Sequence, residues 1–354
     1  MGEEIRDLIE KLYQTSVLEE SELLYLLENY SKEAAKLLAQ RANEVRLKNY
    51  GDKVYLRGLI EFTNYCHRHC KYCGIRSENK KVSRYRLLED EIIDCINMGY
   101  ELGYRTVVLQ GGEDVYYTDD KLVALLERIK DKWPEIAITL SIGEKSYAAY
   151  KRYFEAGAER YLLRHETASA ELYKSLHPHM SYENRMRCLS NLKDIGYQVG
   201  TGFIVGLPGQ TAAHLVQDLM FIKAFKPHMV GIGPFMPQKD TPLGTMPAGT
   251  ADMTTYLISI LRLLQGDLLL PATTSLGSID PLGREKGLKA GANVVMPNLS
   301  PVEVRDKYAL YDGKVCTGDE AAQCRRCIEK RIEQAGYKVD MGRGDHKKFI
   351  DSIK

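Results

Sequence analysis

The run VYLRGLIEF at residues 54–62 passes through TNY into CHRHCKYCGIR at 66–76, and the reading of this junction decides the fold. The first part has the β-branched and apolar composition of a strand. The second packs three cysteines and two histidines into eight residues, with Tyr72 against the last cysteine. A strand that ends in a loop of soft ligands and is followed by a helical stretch is one β/α unit with its chemistry at the strand's carboxyl end.

The same unit recurs along the chain. Further β-rich runs are TVVLQGG (106–112), IAITLSIG (136–143), RYLLRHE (160–166) and QVGTGFIVGL (198–207). MVGIGPFM (229–236), LLLPATTSL (268–276) and ANVVMPNL (292–299) complete eight. Between them lie amphipathic stretches such as LEDEIIDCINMGYELG, DDKLVALLERIK and SYENRMRCLSNLKDIG, several closing on glycine as helix ends do. Alternating β and α units predict parallel strands with right-handed crossovers, and eight of them predict a (β/α)8 TIM-type barrel, with an open doubly wound sheet as the alternative. The first fifty residues carry helical periodicity only. The expected organisation is therefore an N-terminal helical extension (1–50), the barrel (51–305) and a C-terminal cysteine-containing segment (306–354) packed on it. CHRHCKYC, GGED, HET, LPGQT, PATT and MPN all fall at strand carboxyl ends, the face on which such barrels build active sites.

Composition narrows the class. The 354 residues carry a formal charge of +1, which argues against a nucleic-acid partner held by bulk electrostatics. No run of about 18 apolar residues predicts a membrane span, and MGEEIRDLIEKLY has neither part of a secretory signal. The MG start lacks the hydroxyl residue wanted for myristoylation, Arg6 standing there. Six of the eight cysteines fall in two tight groups, a pattern that in a reducing compartment points to metal binding rather than disulfides. A cytoplasmic metalloprotein is expected.

Cys66, Cys70 and Cys73 have the spacing C-x3-C-x2-C. Zinc would need a fourth ligand, from His67 or His69, but neighbouring side chains on a short loop diverge. An iron–sulfur cube is larger and can accept three thiolates while leaving its fourth iron open for something that reacts.

C-x3-C-x-aromatic-C after the first barrel strand, with GGE after the second, resembles the signature of radical S-adenosylmethionine (SAM) enzymes. IEFTNYC, VVLQGGEDVYY, RYLLRHETA, GFIVGLPGQT, MVGIGPFMPQKDTPL, PATTSLGSI and AGANVVMPNLSP are similar to the [FeFe]-hydrogenase maturases of the HydE family. Biotin synthase and methylornithine synthase belong to the same broader group. The resemblance implies a [4Fe-4S] cluster on Cys66, Cys70 and Cys73, with SAM on its open iron, cleaved after one-electron reduction to a 5′-deoxyadenosyl radical. By position it implies that the Tyr72 backbone, Glu113, Ser141, Glu166 and Arg185 contact SAM, Glu113 at the ammonium, Glu166 at the ribose hydroxyls and Arg185 at the carboxylate. Arg164, Thr273, Thr274, Tyr308 and Met296 would surround an anionic substrate. Without the resemblance, Arg185 reads as a surface ion pair and Arg164 as a salt bridge to a barrel glutamate. Gly111 stands where a relative is expected to have serine.

Near the C-terminus, Cys316, Cys324 and Cys327 (C-x7-C-x2-C) resemble an accessory iron–sulfur site, a second [2Fe-2S] or [4Fe-4S] cluster, with empty thiols as the alternative. Cys95 and Cys188 lie among apolar helical residues and are expected to be structural. The implied function is SAM-dependent maturation of the hydrogenase diiron subcluster, acting on a small cysteine-derived, iron-bound substrate. A one-electron donor, a scaffold GTPase and a tyrosine lyase would be its partners. The alternatives are a methylornithine synthase- or biotin synthase-like enzyme and a non-catalytic iron–sulfur carrier.

Overall fold

The computed structural model describes residues 1–318 and 321–350, the side chains of 321–324 excepted. Three helices, α1 (Glu3–Thr15), α2 (Glu20–Glu28) and α3 (Lys32–Tyr50), come first. Ser31 caps α3 by accepting from Ala34 N–H, and Ala34, Leu38 and Ala42 turn inward along one face. Arg46 on that face is fully buried, yet its guanidinium donates to the carbonyls of Ala292, Gly51 and Lys53 at 3.1, 2.8 and 2.7 Å. Backbone oxygens thus offset the burial of the charge and tie the helical extension to the strands.

The β/α succession then begins with β1 (Lys53–Leu56), β2 (Gly58–Thr63), α4 (Glu89–Glu101), β3 (Thr106–Gly111), α5 (Asp119–Lys132) and β4 (Ala137–Ser141). It continues with α6 (Tyr147–Glu155), β5 (Arg160–Leu162), α7 (Ala170–Leu176), α8 (Tyr182–Ile195), β6 (Gln198–Thr201) and β7 (Ile204–Val205). Next are α9 (Ala212–Phe225), β8 (Met229–Val230), β9 (Gly233–Pro234), α10 (Ala251–Leu264), α11 (Thr274–Ile279) and α12 (Gly283–Lys289). The chain ends with β10 (Val294–Val295), α13 (Val302–Arg305), α14 (Ala321–Gln334), β11 (Lys338–Asp340) and α15 (Lys347–Ile350).

All pairings between these named strands are parallel, and the order β2-β3-β4-β5-β6-β8 runs in one direction without the reversal that defines a doubly wound sheet. From β8 the ring continues through single parallel bridges, Met229 to Leu269 and Pro271 to Val294, before β10 pairs with β1. The ladder thins there for local reasons. Pro271 has no N–H to give, and Leu270 N–H donates to the Asn293 side chain at 2.9 Å as well as lying beside its strand. The predicted barrel pattern is therefore present, with four expected strands altered, the sixth of them divided into β8 and β9. The first divides at Arg57, and the fifth divides around Gly202, where a Cβ would lie 1.9 Å from Gly231 O. The seventh, LLLPATTSL, is extended only near Leu269–Pro271; Thr273 is already the N-cap of α11.

Register sets the upper face. Thr63 pairs with Gly111 and Gln110 with Ser141, so the cysteine loop, the GGE loop and Ser141 emerge level and adjacent. The opposite end carries a polar layer. Arg160 donates to Asp345 at 2.6 Å and to Arg343 O at 2.8 Å, while Arg57 donates to Gly344 O at 3.1 Å. Together with β11, which pairs with β1, these contacts seat the chain's last described segment on the barrel. Among the described residues no helix is long and apolar enough to cross a membrane.

Candidate active site

A cavity of about 300 Å3 opens at the carboxyl ends of the strands. Its wall includes Cys66, Cys70, Cys73, Tyr72, Glu113, Ser141, Arg164, Glu166, Arg185 and Tyr308. Residues scattered over 240 positions are thus brought to one place by strand register and loop direction alone.

The cysteine loop is held by its neighbours. His67 N–H donates to Glu113 O at 3.2 Å, Gly74 N–H to Leu310 O at 2.8 Å and Lys71 N–H to Leu176 O at 2.9 Å. Gly112 is needed for this packing, since a Cβ there would lie 2.1 Å from Tyr65 O and 2.7 Å from Cys66 Cβ. At Gly111 a Cβ would lie 2.8 Å from Thr63 Cγ2, so the serine expected from relatives has no room unless Thr63 and Phe62 shift. The three thiols titrate high. Burial and then the neighbouring Cys73 and Cys66 raise Cys70 well above its ordinary value, and burial with Cys66 pushes Cys73 up to about 12. Cys66 is raised as well, chiefly by burial. Three thiols in the wall of one cavity are a soft donor set of the kind that binds metal as thiolate. Neither histidine of the loop lines the cavity. His67 Nδ1 is 2.7 Å from Glu113 O, and His69 Nδ1 is 3.3 Å from Glu78, so the zinc alternative lacks its fourth ligand.

Tyr72 lies in the same cavity wall as Cys70 and Cys73. Its hydroxyl is 2.9 Å from His177 Nε2, and His177 Nδ1 is 3.0 Å from Tyr173 O. A carbonyl only accepts, so Nδ1 carries the proton and Nε2 accepts from Tyr72. Burial and the nearby Arg185 lower His177 to about 4, which keeps this neutral tautomer at physiological pH.

Four charges run along the rim. Glu113 meets Arg68 at 2.7 Å, Arg68 meets Glu144 at 3.4 Å, and Glu144 meets Arg185 at 2.7 Å. Glu144 also accepts from Asn184 at 2.8 Å, and Arg185 donates to Arg164 O. Arg185 is thus an ion pair, as its helix position suggested, but a buried one in the cavity wall. Gly143, at φ +78, makes room for Glu113; a Cβ there would lie 2.2 Å from the carboxylate. Arg164 Nη2 stands 3.3 Å from Glu166 Oε2 without hydrogen-bonding geometry, and Arg164 Nε, Nη2 and Glu166 Oε2 are buried with no hydrogen-bond partner. Glu166 itself adopts φ +65, a left-handed conformation costing a non-glycine residue about 1–2 kcal/mol. Strain and unsatisfied polar atoms gathered in one cavity mark a place prepared for a ligand.

The substrate-side expectations divide. Arg164 and Tyr308 line the main cavity, with Gln110 donating to the Tyr308 hydroxyl at 3.3 Å. Thr273, Thr274 and Met296 do not line it, because α11 begins at 274 and turns the pair aside. Thr273 Oγ1 instead lies 3.1 Å from Ser275 Oγ, and it is Ser275 that reaches the cavity wall. Thr274 and Met296 border a smaller cavity with Glu61, Arg284, Lys314 and Cys316. Sequence reasoning passed over Arg68, Glu144, Gly143, Ser275 and His177; only GGE and the cysteine spacing gave a signal near any of them.

In the second cysteine group, Cys316 Sγ lies 3.4 Å from Arg284 Nη1 and Cys327 is exposed on α14. The Cys324 side chain lies outside the described residues. Cys95 and Cys188 are buried as expected, Cys188 Sγ at 3.7 Å from Lys145 O.

With this geometry in hand, comparison decides the family. The Radical SAM superfamily profile matches residues 60–222. The [FeFe] hydrogenase maturase subunit HydE of Thermotoga maritima is 42% identical over 98% of this chain and 99% of its own length. The chain belongs to the HydE family of radical SAM proteins. A 3-methylornithine synthase from Methanosarcina acetivorans is 30% identical over 92% of each chain. The solved structure of methylornithine synthase (PylB) superposes with a TM-score of 0.84 at 28% identity, over 98% of this chain and all of that one. The HydE-family chain is thus an SAM-dependent enzyme, and membership implies a [4Fe-4S] cluster and SAM. The soft donor set and the unpartnered Arg164 and Glu166 atoms fit both groups.

Proposed function

We propose that this protein reductively cleaves SAM and acts in maturation of the [FeFe]-hydrogenase diiron subcluster, on a small, cysteine-derived, iron-bound substrate. The observation that carries the reading is the convergence of the three thiols, Glu113, Ser141, Glu166 and Arg185 on one cavity. A passive iron–sulfur carrier has no use for the last four. When bound, the cluster supplies an electron and SAM the radical precursor. The protein's part is then positional. Cys66, Cys70 and Cys73 would hold the cluster as its three thiolate donors. Glu113 and Arg185 hold the amino-acid end of SAM, each already braced by an oppositely charged neighbour. Glu166 accepts from the ribose hydroxyls, Ser141 lies between, and Tyr72 closes the loop side through its bond to His177.

The substrate sits deeper, against Arg164 and Tyr308, where a guanidinium that meets Glu166 at 3.3 Å still has two nitrogens without a hydrogen bond to offer an anion. Thr274 and Met296 contribute from the smaller cavity, and Thr273 through its contact with Ser275 of the main cavity wall. Cys316, Cys324 and Cys327 hold a peripheral second cluster, [2Fe-2S] or [4Fe-4S], without part in SAM cleavage. The partners are a one-electron donor and the other hydrogenase maturation proteins, a scaffold GTPase and a tyrosine lyase, in the cytoplasm.

Complementation tests this reading. A host that makes an [FeFe] hydrogenase but lacks its own HydE is expected to regain hydrogenase activity when given this chain. A purified, cluster-loaded protein that cleaves SAM yet forms 3-methylornithine and fails to complement would move the assignment to that relative's activity.

A further inference from the structure

Behind Glu166, on the side away from the cavity, His165 and Asp218 are both fully buried and lie 3.2 Å apart, Nε2 to Oδ1. Asp218 sits on α9, and the same Oδ1 accepts from Ala168 N–H at 2.6 Å. On the other side of the imidazole, Thr201 Oγ1 is 3.0 Å from Nδ1 and accepts from His165 N–H at 3.2 Å. A carboxylate oxygen only accepts, so Nε2 donates to Asp218, and the Thr201 hydroxyl donates to Nδ1. The turn from His165 to Ala168 is therefore gripped at both ends by one carboxylate. Glu166 lies inside the grip, in its left-handed conformation, with its N–H on Gly202 O at 3.0 Å and its own carbonyl taken by Ile204 N–H at 3.1 Å.

We propose that Asp218, acting through His165 and the Ala168 N–H, is a positioning residue that sets the backbone of Glu166 so that its carboxylate reaches the vicinal hydroxyls of the SAM ribose. Neither residue touches the cavity; His165 is the first residue of HET, while Asp218 lies outside the quoted motifs. The proposal rests on the reading of Glu166 as the ribose contact. A buried histidine–carboxylate hydrogen bond that served only stability would have no reason to bracket the strained Glu166, whose Oε2 makes no hydrogen bond and meets only Arg164 at 3.3 Å.

Binding of SAM and of its 2′-deoxy analogue to cluster-loaded protein, measured by equilibrium dialysis without oxygen, separates the possibilities. In wild-type protein, loss of the hydroxyl should weaken binding roughly ten- to a hundredfold, the worth of one hydrogen bond made to a charged acceptor. Glu166→Gln and Asp218→Asn should each bind SAM more weakly, by a similar factor, and should no longer distinguish the two ligands. Phe221→Leu, altered at a ring 4.6 Å from His165 but outside the grip, should keep the distinction even where its stability falls. If Asp218→Asn does not fold, His165→Gln carries the same comparison. An Asp218→Asn protein that still favours SAM over the deoxy analogue by the wild-type factor would overturn the proposal and leave Glu166 in place. A wild type that binds both alike would overturn the Glu166 reading and the proposal with it.

Discussion

Cys70→Ala protein, reconstituted with iron and sulfide under anaerobic conditions and then reduced, is expected to release no 5′-deoxyadenosine from SAM above a protein-free blank. The reason is geometric. Cys70 stands between Cys66 and Cys73 on one short loop, and all three sulfurs face the same cavity. Two remaining thiols hold a cube poorly, and no neighbouring ligand is placed to take over. His67 is engaged with Glu113 O, and His69 faces Glu78 and His179. Iron content should fall with turnover, and Cys66→Ala and Cys73→Ala should behave alike. Cys188→Ala is the contrast, because its sulfur lies buried against Lys145 O away from the cavity. It should keep iron and turnover, losing only some thermal stability. Equal cleavage by Cys70→Ala and wild type would remove the basis of the assignment.

The second large effect concerns stability. Lys314 Nζ lies 2.6 and 2.7 Å from the two oxygens of Glu61, which is fully buried and also accepts from Asn298 at 2.8 Å. Replacing Lys314 with Met leaves Glu61 charged and unpaired beneath the active site, a change that typically costs about 3–5 kcal/mol. The pH dependence has a definite sign. Burial raises the Glu61 pKa, while Lys314 and Asn298 lower it; without Lys314 it rises further. A carboxyl whose folded pKa lies above its unfolded one is penalised where it must ionise and relieved where it is protonated. The difference in Tm between wild type and Lys314→Met should therefore be large at pH 8 and shrink toward pH 5. The double variant Glu61→Gln with Lys314→Met should be milder than Lys314→Met alone, since no buried charge is left. A single variant no less stable than the double would contradict this account.

The parts of the site that could be read from the chain are those written locally. Three thiols within eight residues, a Gly-Gly-Glu at a strand end and hydrophobic runs alternating with helical periods each carry their signal in neighbouring positions. Arg68 and Glu144 do not. Each is an ordinary charged residue until the barrel sets its carboxylate or guanidinium beside Glu113 and Arg185. Glu61 and Lys314 are separated by 253 positions and nothing local predicts their meeting. Thr273 and Thr274 were misplaced for a backbone reason. The run LLLPATTSL looks like a strand by composition, but its pairing stops once Ala272 N–H has donated to Val294 O, and Thr273 caps a helix, so Ser275 takes the wall. The strain at Glu166 was equally hidden, because a left-handed glutamate is dictated by its contacts with Gly202 and Ile204 rather than by its own identity.

Everything proposed for catalysis requires one iron that the protein leaves unligated and SAM then occupies. Mössbauer spectroscopy of protein reconstituted with isotopically enriched iron, recorded with and without SAM, addresses that iron directly. The account predicts that SAM changes the isomer shift of a single iron site of the cluster while the thiolate-ligated sites stay as they were. Spectra that are identical with and without SAM, with every iron already in a four-coordinate, protein-ligated environment, would contradict it.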